Sequence, residues 1–281
     1  KNTMLSKLSA LFLLTASLLG SASATDSTIV SKVGALWEGS YQYFYDSSIP
    51  NACETVLIIG VGTAMGVKDY NTLATTISTG QPITTIISDH NPRIPVKLSA
   101  RQFKNYYNAM VPSLQRLIPA CADVEKPKIL IGGHSASGKA SINALPNLTP
   151  QPDGYIGIDP FVIDEKKMNI DPSIPTLDWG FSKTTCAVKI DEAAKPTYEI
   201  SSPDHRVFYR IDNANNDISH CVFTDKGCVV VCGLGKDGGW VIPAVADSIH
   251  KFVSAIVKGG SITKSNFVLD AVSEGKVELF V

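Results

Sequence analysis

Apolar residues fall along this chain in two rhythms. Short unbroken runs, rich in β-branched side chains and ended by small or turn-forming residues, read as strands buried on both faces. Thr55–Ile59, Ile83–Ser88, Ile129–Ile131, Gly154–Ile158, Thr176–Gly180 and Arg206–Ile211 are of this kind. Between them lie segments with a helical period. Asp69–Ser78 is one. Ser99–Ala120 is another, with apolar positions at Phe103, Met110, Leu114 and Leu117, and Val241–Val257 closes the series with Val245, Ile249, Phe252 and Ile256 on one stripe.

Buried strands alternating with amphipathic helices predict an α/β protein, a doubly wound and mostly parallel sheet with helices on both faces. Two ends of the chain are less regular. The aromatic cluster Trp37, Tyr41, Tyr43, Phe44 and Tyr45 reads as packing of an N-terminal strand pair or short helix. Residues 267–281 fit either an added edge strand or a tail. There are no internal repeats and no low-complexity linker, so residues 25–281 read as one domain.

Composition bounds the function. With 281 residues and 44% apolar content the chain can bury a sizeable core. A net charge of −1 and a pI near 6.6 give no electrostatic case for nucleic acid. Lys7, the apolar run Leu8–Leu19 and the small residues ending in Ala22-Ser23-Ala24 have the layout of a secretory signal peptide over 1–24. No later segment reads as an integral membrane span. Six cysteines follow: Cys53, Cys121, Cys186, Cys221, Cys228 and Cys232. An even number in an exported chain predicts three disulfides, with Cys221–Cys228 the pair expected to close a short loop after His220. Cys228-x3-Cys232 lacks a second ligand pair at zinc-finger spacing, so no metal is implied.

The chemistry concentrates in Lys128-Ile129-Leu130-Ile131-Gly132-Gly133-His134-Ser135-Ala136-Ser137-Gly138-Lys139. A strand runs into small residues, a serine and then a helix-compatible segment. That is the layout of a nucleophile elbow, where a serine stands on a sharp strand-to-helix turn. Gly133 lies two before Ser135, as G-x-S-x-G asks. Ser137 occupies the second glycine position, with glycine displaced to Gly138. The same letters nearly spell a phosphate-binding P-loop, but Ala140 stands where the magnesium-binding hydroxyl belongs.

A serine nucleophile needs an imidazole base, and the imidazole a carboxylate to orient it. Asp159 directly ends the strand Tyr155–Ile158, and His220 lies on the loop beyond Arg206–Ile211. Asp164 and Asp178 compete for the acid. His134 and His90 compete for the base, while His205 and His250 read as surface or helix residues. The glycine-bearing loop Gly60-Val61-Gly62-Thr63 is placed to give one oxyanion donor, at Gly62 or Thr63, and the N–H of Ala136 the other.

The elbow, the segment Ile156-Gly157-Ile158-Asp159-Pro160 and His220 ahead of the last long helix resemble the α/β-hydrolase superfamily. The nearest likeness is to chlorophyllases and cutinase-like polyester hydrolases. In chlorophyllases a similar I-G-I-D-P segment bears the catalytic acid, and the resemblance implies that role for Asp159. It further implies a secreted serine hydrolase of carboxylic esters, with Ser135, His220 and Asp159 as its triad, no cofactor, and a small-molecule or lipid-like ester substrate. The departures are Ser137 for glycine and the absence of an H-G-x oxyanion motif. Three other readings remain open: a non-catalytic binding protein on the same fold, a peptidase, and a P-loop nucleotide binder.

Overall fold

The computed structural model describes residues 28–90, 96–161, 171–183, 193–214, 217–225, 232, 235, 238–260 and 262–281. The signal-like segment 1–24, Asp164, Cys186 and Cys228 lie outside the described residues, and with them the expected Cys221–Cys228 pairing. Among the described residues, nine strands form one mixed sheet: β1 (Ile29–Leu36), β2 (Gly39–Asp46), β3 (Thr55–Gly60), β4 (Ile83–Asp89), β5 (Lys128–His134), β6 (Gly154–Ile158), β7 (Thr176–Phe181), β8 (Arg206–Ile211) and β9 (Val277–Phe280). Their order across the sheet is β1-β2-β4-β3-β5-β6-β7-β8-β9. The central strands β4 to β8 run parallel, and antiparallel strands flank them.

The unbroken apolar runs are explained by two cores, one on each face. In β3, Leu57 and Ile59 point into one core while Val56 and Ile58 point into the other. Helices α1 (Asn71–Ser78) and α5 (Val241–Lys258) cover the first face, and α2 (Val96–Met110), α3 (Ala136–Ala144) and α4 (Lys195–Ile200) the second. By length and composition Gly238–Lys258 is apolar enough to cross a membrane, contrary to the expectation from sequence. Its apolarity has a core role: Val245, Ile249, Phe252 and Val253 are buried against the sheet.

The expected long helix over Ser99–Ala120 is instead α2 followed by a 3-10 turn, Val111–Ser113, and a single helical turn, Leu114–Leu117. Pro112 is the reason. It has no N–H to give to the preceding turn, and its ring crowds the carbonyl there. Nonetheless Phe103, Met110 and Leu114 are buried, joined by Tyr106 and Tyr107. The N-terminal aromatics form the antiparallel pair β1–β2, with Tyr41, Tyr43, Phe44 and Tyr45 buried. Trp37 differs from that expectation: it stands 99% exposed at the hairpin tip. The C-terminal segment supplies edge strand β9 on β8.

Topology positions the site. From β3 the chain crosses to β4 on one side, then returns past β3 to β5 on the other. Loops leaving the carboxyl ends of β3 and β5 therefore diverge, opening a crevice at this switch point. Gly62 follows β3 and Ser135 follows β5.

A disulfide between Cys53 and Cys121, 68 residues apart, ties the start of β3 to the end of the α2 region. Replacing both cysteines by serine should lower stability by about 4 kcal/mol on a chain-entropy argument for a loop of this length. Urea unfolding of the two forms measures it, and equal midpoints would show that this crosslink adds nothing.

Candidate active site

Backbone sterics shape the turn after β5. Ser135 has φ 56° and ψ −123°, a combination sparsely populated by residues with a Cβ. It is held from both sides: Ser135 N–H donates to the Ile158 carbonyl (3.2 Å), and Phe161 N–H donates to the Ser135 carbonyl (2.9 Å). Close packing behind the turn explains the small residues. A Cβ on Gly133 would come within 2.5 Å of the Ser137 carbonyl carbon, and one on Gly138 within 2.6 Å of Pro160 Cβ. Thus glycine is needed at 138. Position 137 tolerates serine because Gly60, across on β3, leaves the space; a Cβ there would sit 2.6 Å from Ser137 Cβ. The Ser137 hydroxyl donates to the Val61 carbonyl.

Asp159 ends β6 with φ 42°, a second left-handed residue on the strand beside Ser135. Its N–H donates to the Trp179 carbonyl at 2.7 Å. Its Oδ2 lies 2.5 Å from His220 Nδ1, and both side chains are buried. A carboxylate at that nitrogen fixes the tautomer, leaving Nε2 as the basic atom. His220 opens the 3-10 turn His220–Phe223. That turn is anchored where Asp225 N–H donates to the Asp69 carbonyl (2.7 Å) and Asp225 Oδ2 accepts from Thr72 N–H (3.1 Å).

The structure thus brings Asp159 and His220 into direct contact and sets Ser135 beside them through its backbone. Ser135 Oγ makes no hydrogen bond to His220 among the described residues; such contacts often tighten only when substrate arrives. Ala136 begins α3, so its N–H lies in the first turn, where no intrahelical carbonyl can accept it. Gly62 departs from its expected role. Its N–H donates to the buried Tyr70 hydroxyl at 2.8 Å, so it is not available to an oxyanion. Thr63, the other expected loop position, lies exposed on the turn closed by Met65 N–H on the Gly62 carbonyl (3.2 Å).

The other histidines have different settings. His134 is fully buried, its ring stacked on His220 with centroids 4.3 Å apart. Burial, reinforced by the neighbouring His220, holds its pKa well below the usual imidazole range. His90 is buried beneath the elbow, with Nε2 3.4 Å from Ser137 Oγ, and burial pulls its pKa to about 4. His205 lies at the far end of the sheet, before β8, with its ring against the Ser173 carbonyl at 3.0 Å. His250 lies on α5 against the Ile77 carbonyl at 2.7 Å. Sequence reasoning gave Tyr70 no role; nothing in its local pattern separates it from an ordinary core tyrosine.

Asp178 lies inside β7, paired in register with Gly157, and makes no hydrogen bond to His220. Among the described residues both its oxygens lack partners, and burial raises its pKa well above the usual carboxylate range. Among the described residues no cluster of His, Cys, Asp and Glu is set to hold a metal. No protein-family model matches this chain. No curated protein matches it either.

Asp178 carries a pH-dependent cost. Its folded pKa lies above its unfolded one, so the folded state keeps a proton that the unfolded chain releases; stability is whole below the unfolded pKa and falls as pH rises above it. Asp178→Asn, which keeps the shape and cannot ionise, should raise the urea midpoint at about pH 8 and leave it unchanged near about pH 3. A gain of equal size at both pH values would rule out ionisation as the cause.

Proposed function

We propose that this chain is a secreted serine hydrolase of the α/β-hydrolase fold, cleaving carboxylic esters through an acyl-enzyme. The observation that supports it most is the buried Asp159–His220 pair at the carboxyl end of the sheet, on the strand neighbouring a serine held at positive φ. On this reading Ser135 Oγ attacks the acyl carbon while His220 Nε2 takes its proton. The acyl C=O bond becomes a C–O⁻ single bond, and the oxyanion lies towards Ala136 N–H and Thr63. Collapse expels the alcohol, which receives the proton from His220. Water then repeats the sequence on the acyl-serine and releases the acid.

Asp159 keeps its place against His220 Nδ1 throughout. It holds the imidazole in one tautomer and offsets the charge that forms on it. A small or lipid-like ester is the substrate class that this chemistry fits. The Cys53–Cys121 disulfide and the signal-like start of the sequence support an exported setting. A second reading, a non-catalytic binding protein on this fold, is favoured by the commitment of Gly62 N–H to Tyr70.

Two measurements separate these. A fluorophosphonate should label Ser135 in the mature protein, and Ser135→Ala should lose both labelling and turnover of p-nitrophenyl esters, by roughly 10⁴-fold or more. Asp159→Asn should remain folded and lose about 10²–10⁴-fold. Labelling that persists in Ser135→Ala overturns the nucleophile. Wild-type protein inert to the phosphonate and to esters of every acyl length favours the binding protein.

A further inference from the structure

His134, Tyr70 and Gly62 form a hydrogen-bonded chain that the triad itself does not use. Its direction follows from the atoms. His134 Nε2 lies 3.1 Å from the His220 carbonyl oxygen, which can only accept, so Nε2 bears the proton. A buried imidazole kept neutral then has an acceptor at Nδ1, 2.8 Å from the Tyr70 hydroxyl. Tyr70 therefore spends its one proton on His134, and its oxygen accepts Gly62 N–H at 2.8 Å. The Met65 sulfur, 2.8 Å from the same oxygen, is a second acceptor facing that proton, but a thioether accepts far more weakly than an imidazole nitrogen. Tyr70 and His134 are both fully buried, and their rings meet edge to face at 5.8 Å.

The two ends of this chain are two separate parts of the proposed site. One is the backbone of the residue bearing the base. The other is the peptide that leads into Thr63. With Gly62 N–H held by Tyr70 and the Gly62 carbonyl held by Met65 N–H, both peptides flanking Gly62 are fixed. Peptide planarity then points Thr63 N–H away from the Gly62 carbonyl, hence away from the turn's interior. A Cβ on Gly62 would lie 3.1 Å from His134 Nδ1 and 3.4 Å from Ser135 Cβ, so the loop rests against the elbow.

We propose that Tyr70 and His134 are positioning residues: a tether that sets the distance between the backbone of His220 and the Gly62–Thr63 loop, and so between base and oxyanion site. This rests on the serine-hydrolase reading, which supplies the roles of its two ends. Misplacement of reacting groups by about 1 Å costs on the order of 10²-fold in rate, so a loosened tether should be read in the rate of acylation.

The test uses Tyr70→Phe, which keeps the ring and removes the hydroxyl, and His134→Asn, whose amide can still accept from Tyr70 but no longer reaches His220. Two quantities are measured. One is the acylation rate with a p-nitrophenyl ester, split into kcat and KM. The other is the downfield proton resonance of the His220–Asp159 hydrogen bond, assigned by its loss in Asp159→Asn. Tyr70→Phe should cut kcat about tenfold or more with KM within about threefold, and should shift the downfield proton. His134→Asn should behave alike, and the double variant should be no worse than the poorer single one, because both break one chain. An unmoved proton in Tyr70→Phe overturns the tether, whether or not the protein turns over esters. So does wild-type acylation, even where thermal stability falls. If wild-type protein is inert to every ester but the proton shifts, the hydrolase reading fails and the tether stands.

Discussion

The site depends on how closely backbones approach at the carboxyl ends of β5 and β6. A Cβ on Gly132 would lie 2.1 Å from the Ile156 carbonyl oxygen, one on Gly133 2.5 Å from the Ser137 carbonyl carbon, and one on Gly138 2.6 Å from Pro160 Cβ. Only glycine permits these contacts, and they let α3 start directly behind β5. Ser135 is then forced to the apex at positive φ. Asp159 too has a positive φ, 42°, one strand away. Such backbone costs of order 1–3 kcal/mol each and persists only where the surroundings over-determine it. Here the hydrogen bonds Ser135 N–H to Ile158, Phe161 N–H to Ser135 and Asp159 N–H to Trp179 do so.

Beneath that apex lies an unusual density of buried polar groups. Ser137 with His90, and His134 with Tyr70, are fully buried, as is His220 with Asp159 to within a few per cent. Unpaired, each would cost desolvation free energy. Paired in a low dielectric, as these groups are apart from His90 Nδ1 among the described residues, they define positions more sharply than apolar packing, since a hydrogen bond has direction as well as distance. Aromatic faces complete the enclosure: Phe223 meets His134 at 5.8 Å and Phe181 at 5.8 Å. Charge developing on His220 would thus be met by one carboxylate and one stacked neutral ring.

Asp178 shows the opposite case. Its carboxyl is buried in the sheet with no partner for either oxygen among the described residues, and neutrality is what that setting favours. Two aspartates on neighbouring strands therefore differ in kind. Asp159 stands beyond its strand end, where the backbone turns and a partner can reach it; Asp178 stands within a strand whose side chains on both faces are covered.

Much of this was legible in the sequence by itself. Runs such as Val56–Ile59 and Leu130–Ile131 report burial on both faces, because strands buried on two sides need no polar alternation. Small residues around Ser135 report close approach, and the Asp159-Pro160 step reports a strand end. Pro112 was legible as a break within the α2 region too, and the helical period on either side of it hid the break. What only the tertiary structure decided are contacts between distant residues. The partner of Gly62 N–H is a hydroxyl whose aim depends on how the turn before α1 packs. The link from Tyr70 to His134 spans 64 residues, and that from His134 to His220 spans 86. Periodicity records which face a residue shows to the core. It does not record which donor meets which acceptor there, because that is set by strand register and helix placement, which the whole chain determines together.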